Sequence, residues 1–206
     1  WLGSFYLLLL RVKKKYSSNF IKGSRMFEGL NDGHVIKTMF TEHEHILTIL
    51  DELQILGEQL SEQNHSKIEK LLPQINQLSI KLISAEPHHQ REEKILFPAM
   101  EEKGVTGPTQ CMCMDHEVMR EMKHALKNET EKSKSDWPVQ VEKVPQLISE
   151  LCKILRQHID KENNILYPMA LQSITEAVQW EEMKIKCDKI GYCCFCPDEP
   201  QEVLNY

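Results

Sequence analysis

One eleven-residue pattern occurs twice in this chain. The first copy is His88-His-Gln-Arg-Glu92-Glu-Lys-Ile95-Leu96-Phe97-Pro98, and the second, 70 residues further on, is His158-Ile-Asp-Lys-Glu162-Asn-Asn-Ile165-Leu166-Tyr167-Pro168. Both read His-x3-Glu-x2-Ile-Leu-aromatic-Pro. On a helix, residues four apart project from the same face, one turn above each other. An imidazole and a carboxylate so placed can hold one metal ion or two neighbouring ones. A single His-x3-Glu arises often by chance, whereas two copies in matched apolar settings point to a duplicated ligand stretch.

The segments around the two copies have helical periodicity. Asn31-Asp32-Gly33 offers a turn and cap, and 34–60 reads as a helix with Met39, Ile46, Leu47, Ile49, Leu50, Leu53, Leu56 and Leu60 on its apolar stripe. The polar run Ser61–Ser66 is a loop. A second helix is expected over 66–102, with Pro73 and Pro87 kinking or restarting it. Gly104–Pro108 reads as a loop, a third helix as 110–132 and a fourth as 139–170. A short helical segment is expected at 175–186 and an irregular tail from Cys187. These elements predict an all-α fold, an up-down-up-down four-helix bundle over residues 31–172, followed by a short helix and Cys-rich tail over 173–206.

Helices one and three carry matching triplets, Glu42-His43-Glu44 and Asp115-His116-Glu117. The separation from His43 to His88 is 45 residues and that from His116 to His158 is 42, a difference that fits a change in loop length. Each half thus supplies one His from its first helix and a His and a Glu from its second. The candidate ligands are His43, His88, Glu92, His116, His158 and Glu162. Four imidazoles and two carboxylates without a thiolate suit two iron ions, with manganese or zinc as substitutes, better than a four-coordinate structural zinc. Two carboxylates can bridge a metal pair about 3.5–4 Å apart.

Competing assignments exist within these motifs. His45 lies beside His43 and could take its place; the triplet match favours His43. His89 and Glu93 repeat the His-x3-Glu spacing one residue along, but only His88 and Glu92 reproduce the second copy's distance to Pro. His34 is expected to cap a helix or to support the site, His124 to be a spectator and His65 to be solvated. Met112, Met114, Met119 and Met122 read as core filler. Cys111-Met-Cys113 and the cluster from Cys187 to Cys196 lack paired Cys-x2-Cys spacing.

The four motifs, over residues 33–171, resemble the hemerythrin-like, or HHE cation-binding, family. Gly104–Pro108 and Ile190-Gly-Tyr-Cys193 resemble a prokaryotic subgroup of it. The resemblance implies a helical bundle around a non-haem di-iron centre, with His43, His88, His116 and His158 as terminal ligands and Glu92 and Glu162 as bridges. It implies O2 or NO as the small-molecule ligand. Invertebrate oxygen carriers of the family use five His, with the last carboxylate five residues after its His rather than four. The symmetric His-x3-Glu pairs look more like the branch linked to nitric-oxide response, iron sensing or iron–sulfur repair. A di-iron oxidoreductase and a metal-free helical interaction module are the alternatives. Ferritin-like carboxylate chemistry is disfavoured, because its Glu-x2-His order is reversed here.

A net charge of −6 argues against a nucleic-acid partner. Seven Cys without a disulfide-framework spacing suggest reduced thiols and a cytoplasmic location. Residues 1–30 are expected to be a leader, unstructured or a short helix. Its apolar run is shorter than the roughly 20 residues a membrane-spanning helix needs, so no stable span is expected. Lys13–Lys15 follow that run, whereas a signal peptide carries its charge in front. A weak surface anchor and a start at Met26 are the other readings of this stretch.

Overall fold

The computed structural model describes residues 27–61 and 65–193. Helix α1 spans Val35–Ser61 and α2 His65–Ser84. Short helix α3, Glu86–Arg91, leads into a π-helical turn, Glu92–Leu96, and then α4, Phe97–Glu102. Helix α5 covers Gly107–Thr130. After a single 3-10 turn at Lys134–Asp136, α6 runs Trp137–Lys161 into a second π-helical turn, Glu162–Leu166, and α7, Tyr167–Ser173. Helix α8 spans Ala177–Ile190. Among the described residues there is no strand. Helix α1 packs on α2 and α6, and α5 packs on the same two, which closes a four-helix bundle with antiparallel chain neighbours. No helix among the described residues is long and apolar enough to cross a membrane.

Prolines set the breaks. Pro87 stands in the first turn of α3 after the break at Ala85, where its missing N–H costs nothing. The same effect lets α5 begin at Gly107-Pro108, a stretch expected to be loop. Pro73, by contrast, lies inside an uninterrupted α2. The two π turns share one origin. Pro98 and Pro168 have no N–H to give to the carbonyl four residues back. The helix widens instead, and Phe97 and Tyr167 donate five residues back, to the carbonyls of Glu92 and Glu162. Each π turn therefore starts on the Glu of its repeat.

The buried side chains fall into two apolar clusters with a polar layer between them. One cluster is built from the 46–60 part of α1, α2, and the facing parts of α5 and α6, and includes Leu50, Leu53, Ile75, Leu126 and Leu151. The other takes Phe27, Ile36, Met39, Leu96, Phe97, Met112, Leu166, Tyr167 and Met183. His43, His88, Glu92, His116, His158 and Glu162, all buried, occupy chain positions between the two sets. Full burial of each large apolar side chain stabilises by roughly 1.5–3 kcal/mol, and this surplus supports a polar layer that is costly to bury. Gly57 brings α1 close to α6, since a Cβ there would lie 3.2 Å from the Ile148 side chain.

The expected stripe of α1 is buried apart from Leu47, which is half-buried. Met112 and Met119 are core, but Met114 is 61% exposed and fills nothing. The segment after residue 174 is more ordered than expected. Helix α8 continues through Cys187 to Ile190 and ends on Gly191, whose φ of 91° suits a residue without a Cβ. Its N-terminal half is tied down by the Trp180 indole, which donates to the Ile174 carbonyl and packs on the His34 ring. The leader before residue 27, His65's side chain, Cys194 and Cys196 lie outside the described residues.

Candidate metal centre

All six expected ligand side chains meet in the polar layer. The Nε2 atoms of His43 and His88 are 3.0 Å apart, and so are those of His116 and His158. Each pair belongs to one half of the sequence repeat. Glu162 lies across the two pairs, with Oε2 3.2 Å from His43 Nε2 and Oε1 2.8 Å from His158 Nε2. Glu92 Oε2 is 3.6 Å from His88 Nε2 and 3.4 Å from His116 Nε2, so it too faces both halves. His45, the alternative to His43, is half-buried outside this group. His124 is exposed. His34 accepts the Ile36 N–H at 3.2 Å and caps α1, away from the layer.

The outer nitrogens fix which face of each ring looks inward. His88 Nδ1 donates to Glu42 Oε2 at 2.7 Å, and His158 Nδ1 lies 3.4 Å from Asp115 Oδ2. In each half, then, the acidic residue of the triplet holds the other helix's His. His43 Nδ1 donates to Asn163 Oδ1 at 2.8 Å, and His116 Nδ1 to Glu93 Oε1 at 2.7 Å. Here the residue just after each Glu reaches across to the opposite half. With every Nδ1 proton engaged by an acceptor, the four Nε2 lone pairs point into the layer. Glu44 and Glu117, the last members of the triplets, are exposed.

This donor set fits a pair of cations. Two unprotonated nitrogens 3.0 Å apart repel unless a positive charge lies between them. About 3.0 Å is also the spacing of two nitrogens that meet one ion at right angles from about 2.1 Å. Glu92 Oε2 and both Glu162 oxygens are buried without a hydrogen-bond partner. Leaving such atoms unpaired costs on the order of 1–3 kcal/mol each, a penalty that a cation removes. The side chains group as His43, His88 and Glu162 on one side and Glu92, His116, His158 and Glu162 on the other. Without a cation, protons compensate in part. Burial raises the Glu92 carboxyl well above the usual range, and the neighbouring Glu162 raises it further. Burial also opposes charge on Glu162, but the surrounding His158, His116 and His43 outweigh it and hold its carboxyl low. Burial lowers His88 to about 4 despite Glu42. At His116 burial acts the same way and is outweighed by Glu162 and Glu93, so its imidazole rises.

His89 is the residue that sequence reasoning set aside. It is buried, its ring stacks on His116 at 4.0 Å between centroids, and its Nδ1 has no hydrogen-bond partner. With His116 and His158 it forms a third group of converging donors. Burial, with Lys123 nearby, pushes His89 well below the usual imidazole range, which keeps a lone pair available. The available signal was the adjacent pair His88-His89, in which two registers of His-x3-Glu overlap. Tyr167 was read only as the aromatic of its repeat, yet its hydroxyl donates to Glu92 Oε1 at 2.8 Å.

The sequence matches the profile of the hemerythrin HHE cation binding domain over residues 34–170. It is 32% identical over 93 residues to the iron-sulfur cluster repair protein YtfE of Salmonella typhimurium strain LT2, and 31% identical over 93 residues to that of Salmonella schwarzengrund. Each match covers 41% of this chain and 40% of the relative, so the similarity spans well under half the length of these curated relatives. The helical bundle, its buried layer of converging His and Glu side chains and the profile match agree: the chain belongs to the hemerythrin HHE cation-binding domain family.

Proposed function

We propose that this protein holds a non-haem di-iron centre and uses it to bind O2 or NO, in sensing, scavenging or iron handling. The observation that carries the reading is the layer of converging buried imidazole and carboxylate donors in which Glu92 Oε2 and both Glu162 oxygens lack hydrogen-bond partners. His43 and His88 would hold one ion, His116 and His158 the other, and Glu92 and Glu162 would bridge them. His89 adds a nitrogen donor on the His116 side. When bound, a reduced di-iron pair supplies the electrons and open positions that diatomic gases require.

The chain's own residues set the rest. The Nδ1 bonds to Glu42, Asp115, Asn163 and Glu93 orient the four rings and raise their basicity as ligands. The two apolar clusters above and below exclude water. Tyr167 holds Glu92 Oε1, leaving Oε2 directed between His88 and His116. The name of the Salmonella relatives favours iron handling over oxygen transport. Thiols at Cys111, Cys113, Cys152 and Cys187 accord with the reducing cytoplasm proposed as its location.

The test is metal content after anaerobic Fe(II) loading. Wild type is expected to hold about two irons per chain, the two-ion stoichiometry of a carboxylate-bridged pair. His158→Ala is expected to lose a large part of them while remaining helical. Addition of NO to the reduced wild type should then produce new visible absorption. Iron content indifferent to His158, in a folded protein, would overturn the reading. Catalytic consumption of gas with an electron donor over many turnovers would instead make the protein a di-iron oxidoreductase.

A further inference from the structure

The matched domain ends at residue 170, yet the chain beyond it reaches the support of one half of the metal centre. Helix α8 packs on α1, α3 and the first π turn. Past its terminal Gly191, the Cys193 backbone N–H donates to Glu42 Oε1 at 3.2 Å, inside the protein. The other oxygen of that carboxylate receives His88 Nδ1 at 2.7 Å. Arg91 donates to both Glu42 oxygens, and its guanidinium lies 4.6 Å from the centre of the Tyr192 ring. Cys187 and Cys193 are buried. The C-terminal segment thus covers a buried Arg91–Glu42–His88 relay from outside. The matching relay of the other half, Lys161–Asp115–His158, reaches solvent, with Lys161 41% and Asp115 29% exposed.

We propose that α8 and residues 191–193 form a clasp whose docking couples to cation binding at the His43–His88 half, through the Cys193 amide, Glu42 and His88. This rests on the metal reading above. The physical link is Glu42. Docked, the clasp supplies the Cys193 N–H and shields the Arg91 ion pair from water. This locks the carboxylate that fixes the His88 ring, so that His88 Nε2 is preorganised toward His43. Undocked, Glu42 gains water and loses a donor, and the His88 ring gains freedom. Coupling of this kind is reciprocal: whatever the clasp adds to cation affinity, the cation adds to clasp docking.

The reciprocity can be read on thiols the protein already has. Cys187 is buried on the clasp helix itself, Cys152 lies in the bundle core, and Cys111 is exposed. Iodoacetamide labelling of the full chain, followed residue by residue by mass spectrometry, separates clasp opening at Cys187 from global unfolding at Cys152, with Cys111 as the reagent control. Anaerobic Fe(II) loading is expected to slow Cys187 labelling by about tenfold, within the ordinary range of coupling between sites, beyond any change at Cys152. Cys193→Pro, which removes the amide hydrogen, should release one of the two irons to a chelator several-fold faster than Cys193→Ala, which keeps it. The second iron should leave at an unchanged rate.

Two irons bound with unaltered Cys187 labelling would overturn the clasp coupling and leave the metal reading standing. Equal iron release from Cys193→Pro and Cys193→Ala would do the same. No iron in the folded wild type would overturn both.

Discussion

The two halves of the bundle share a ligand plan and differ in what surrounds it. Position by position, Glu42 answers to Asp115, Arg91 to Lys161, His89 to Ile159, Glu93 to Asn163, Phe97 to Tyr167, and Leu50 to Lys123. The inward donors His43, His88 and Glu92 are repeated as His116, His158 and Glu162. None of the six pairs of neighbours is repeated. In the first half a buried ion pair supports His88; in the second an exposed one supports His158. His89, from the first half, stacks on His116 of the second with the buried Lys123 near it, while the first half has Leu50 in the position of Lys123. The repeat keeps the same inward donors in both halves, while the residues around them make the two halves chemically unlike.

The largest expected effect tests the buried relay. Arg91 is 1% exposed, and Arg91→Met strands the Glu42 charge inside the protein. Loss of about 3–5 kcal/mol is expected by urea unfolding of the metal-free protein, the usual cost of breaking a buried pair. Lys161→Met should cost less than about 1 kcal/mol, as an exposed pair does. Equal losses would erase the distinction between the halves.

Lys123 sharpens the comparison through pH. Burial lowers its ammonium from 10.5 to about 8. Below that value the folded state carries a poorly solvated charge. Between about 8 and 10.5 the unfolded chain still binds a proton that the folded chain has released, so stability rises with pH across this window. Lys123→Leu, which restores the residue type found at position 50, is expected to gain up to roughly 3 kcal/mol at pH 7. The gain should fade as the pH approaches that of a free lysine. A pH-independent difference would assign the effect to packing.

His89→Ile copies Ile159 and makes the halves alike in donors. It should weaken iron binding on the His116 side by about 10–100-fold, the scale on which supporting groups at metal sites act, and competition with a chelator reads it. Unchanged affinity would return His89 to the status of a stacked core residue. The most conservative change is Tyr167→Phe, which copies Phe97 and removes one buried hydrogen bond to Glu92. A loss of about 1–2 kcal/mol in the metal-free protein is expected by thermal unfolding, with iron content retained.

Much of the plan was legible because it rests on local rules. Helical periodicity exposed the apolar stripes of α1, α2, α5 and α6, the repeat singled out His88, Glu92, His158 and Glu162 through their distance to Pro98 and Pro168, and the matching triplets added His43 and His116. The π turns were also encoded there, in prolines that cannot donate to the carbonyl four residues back, but periodicity assumes a uniform 3.6-residue turn. His89 was set aside by the repeat itself. Only His88 and Glu92 reproduce the second copy's distance to Pro, and that match chose one register where α3 buries both His88 and His89.

What the sequence by itself determined is the bundle and six of the imidazole and carboxylate side chains in its polar layer, since both follow from spacing along single helices. What only the tertiary structure decided is each donor's supporting partner. Asn163 meets His43 and Glu93 meets His116 across halves, and the Cys193 amide meets Glu42 151 residues away in the chain. Such contacts form when α8 and the four bundle helices pack, because a buried polar atom must find its partner among whatever packing brings near. No spacing rule along the chain records that choice.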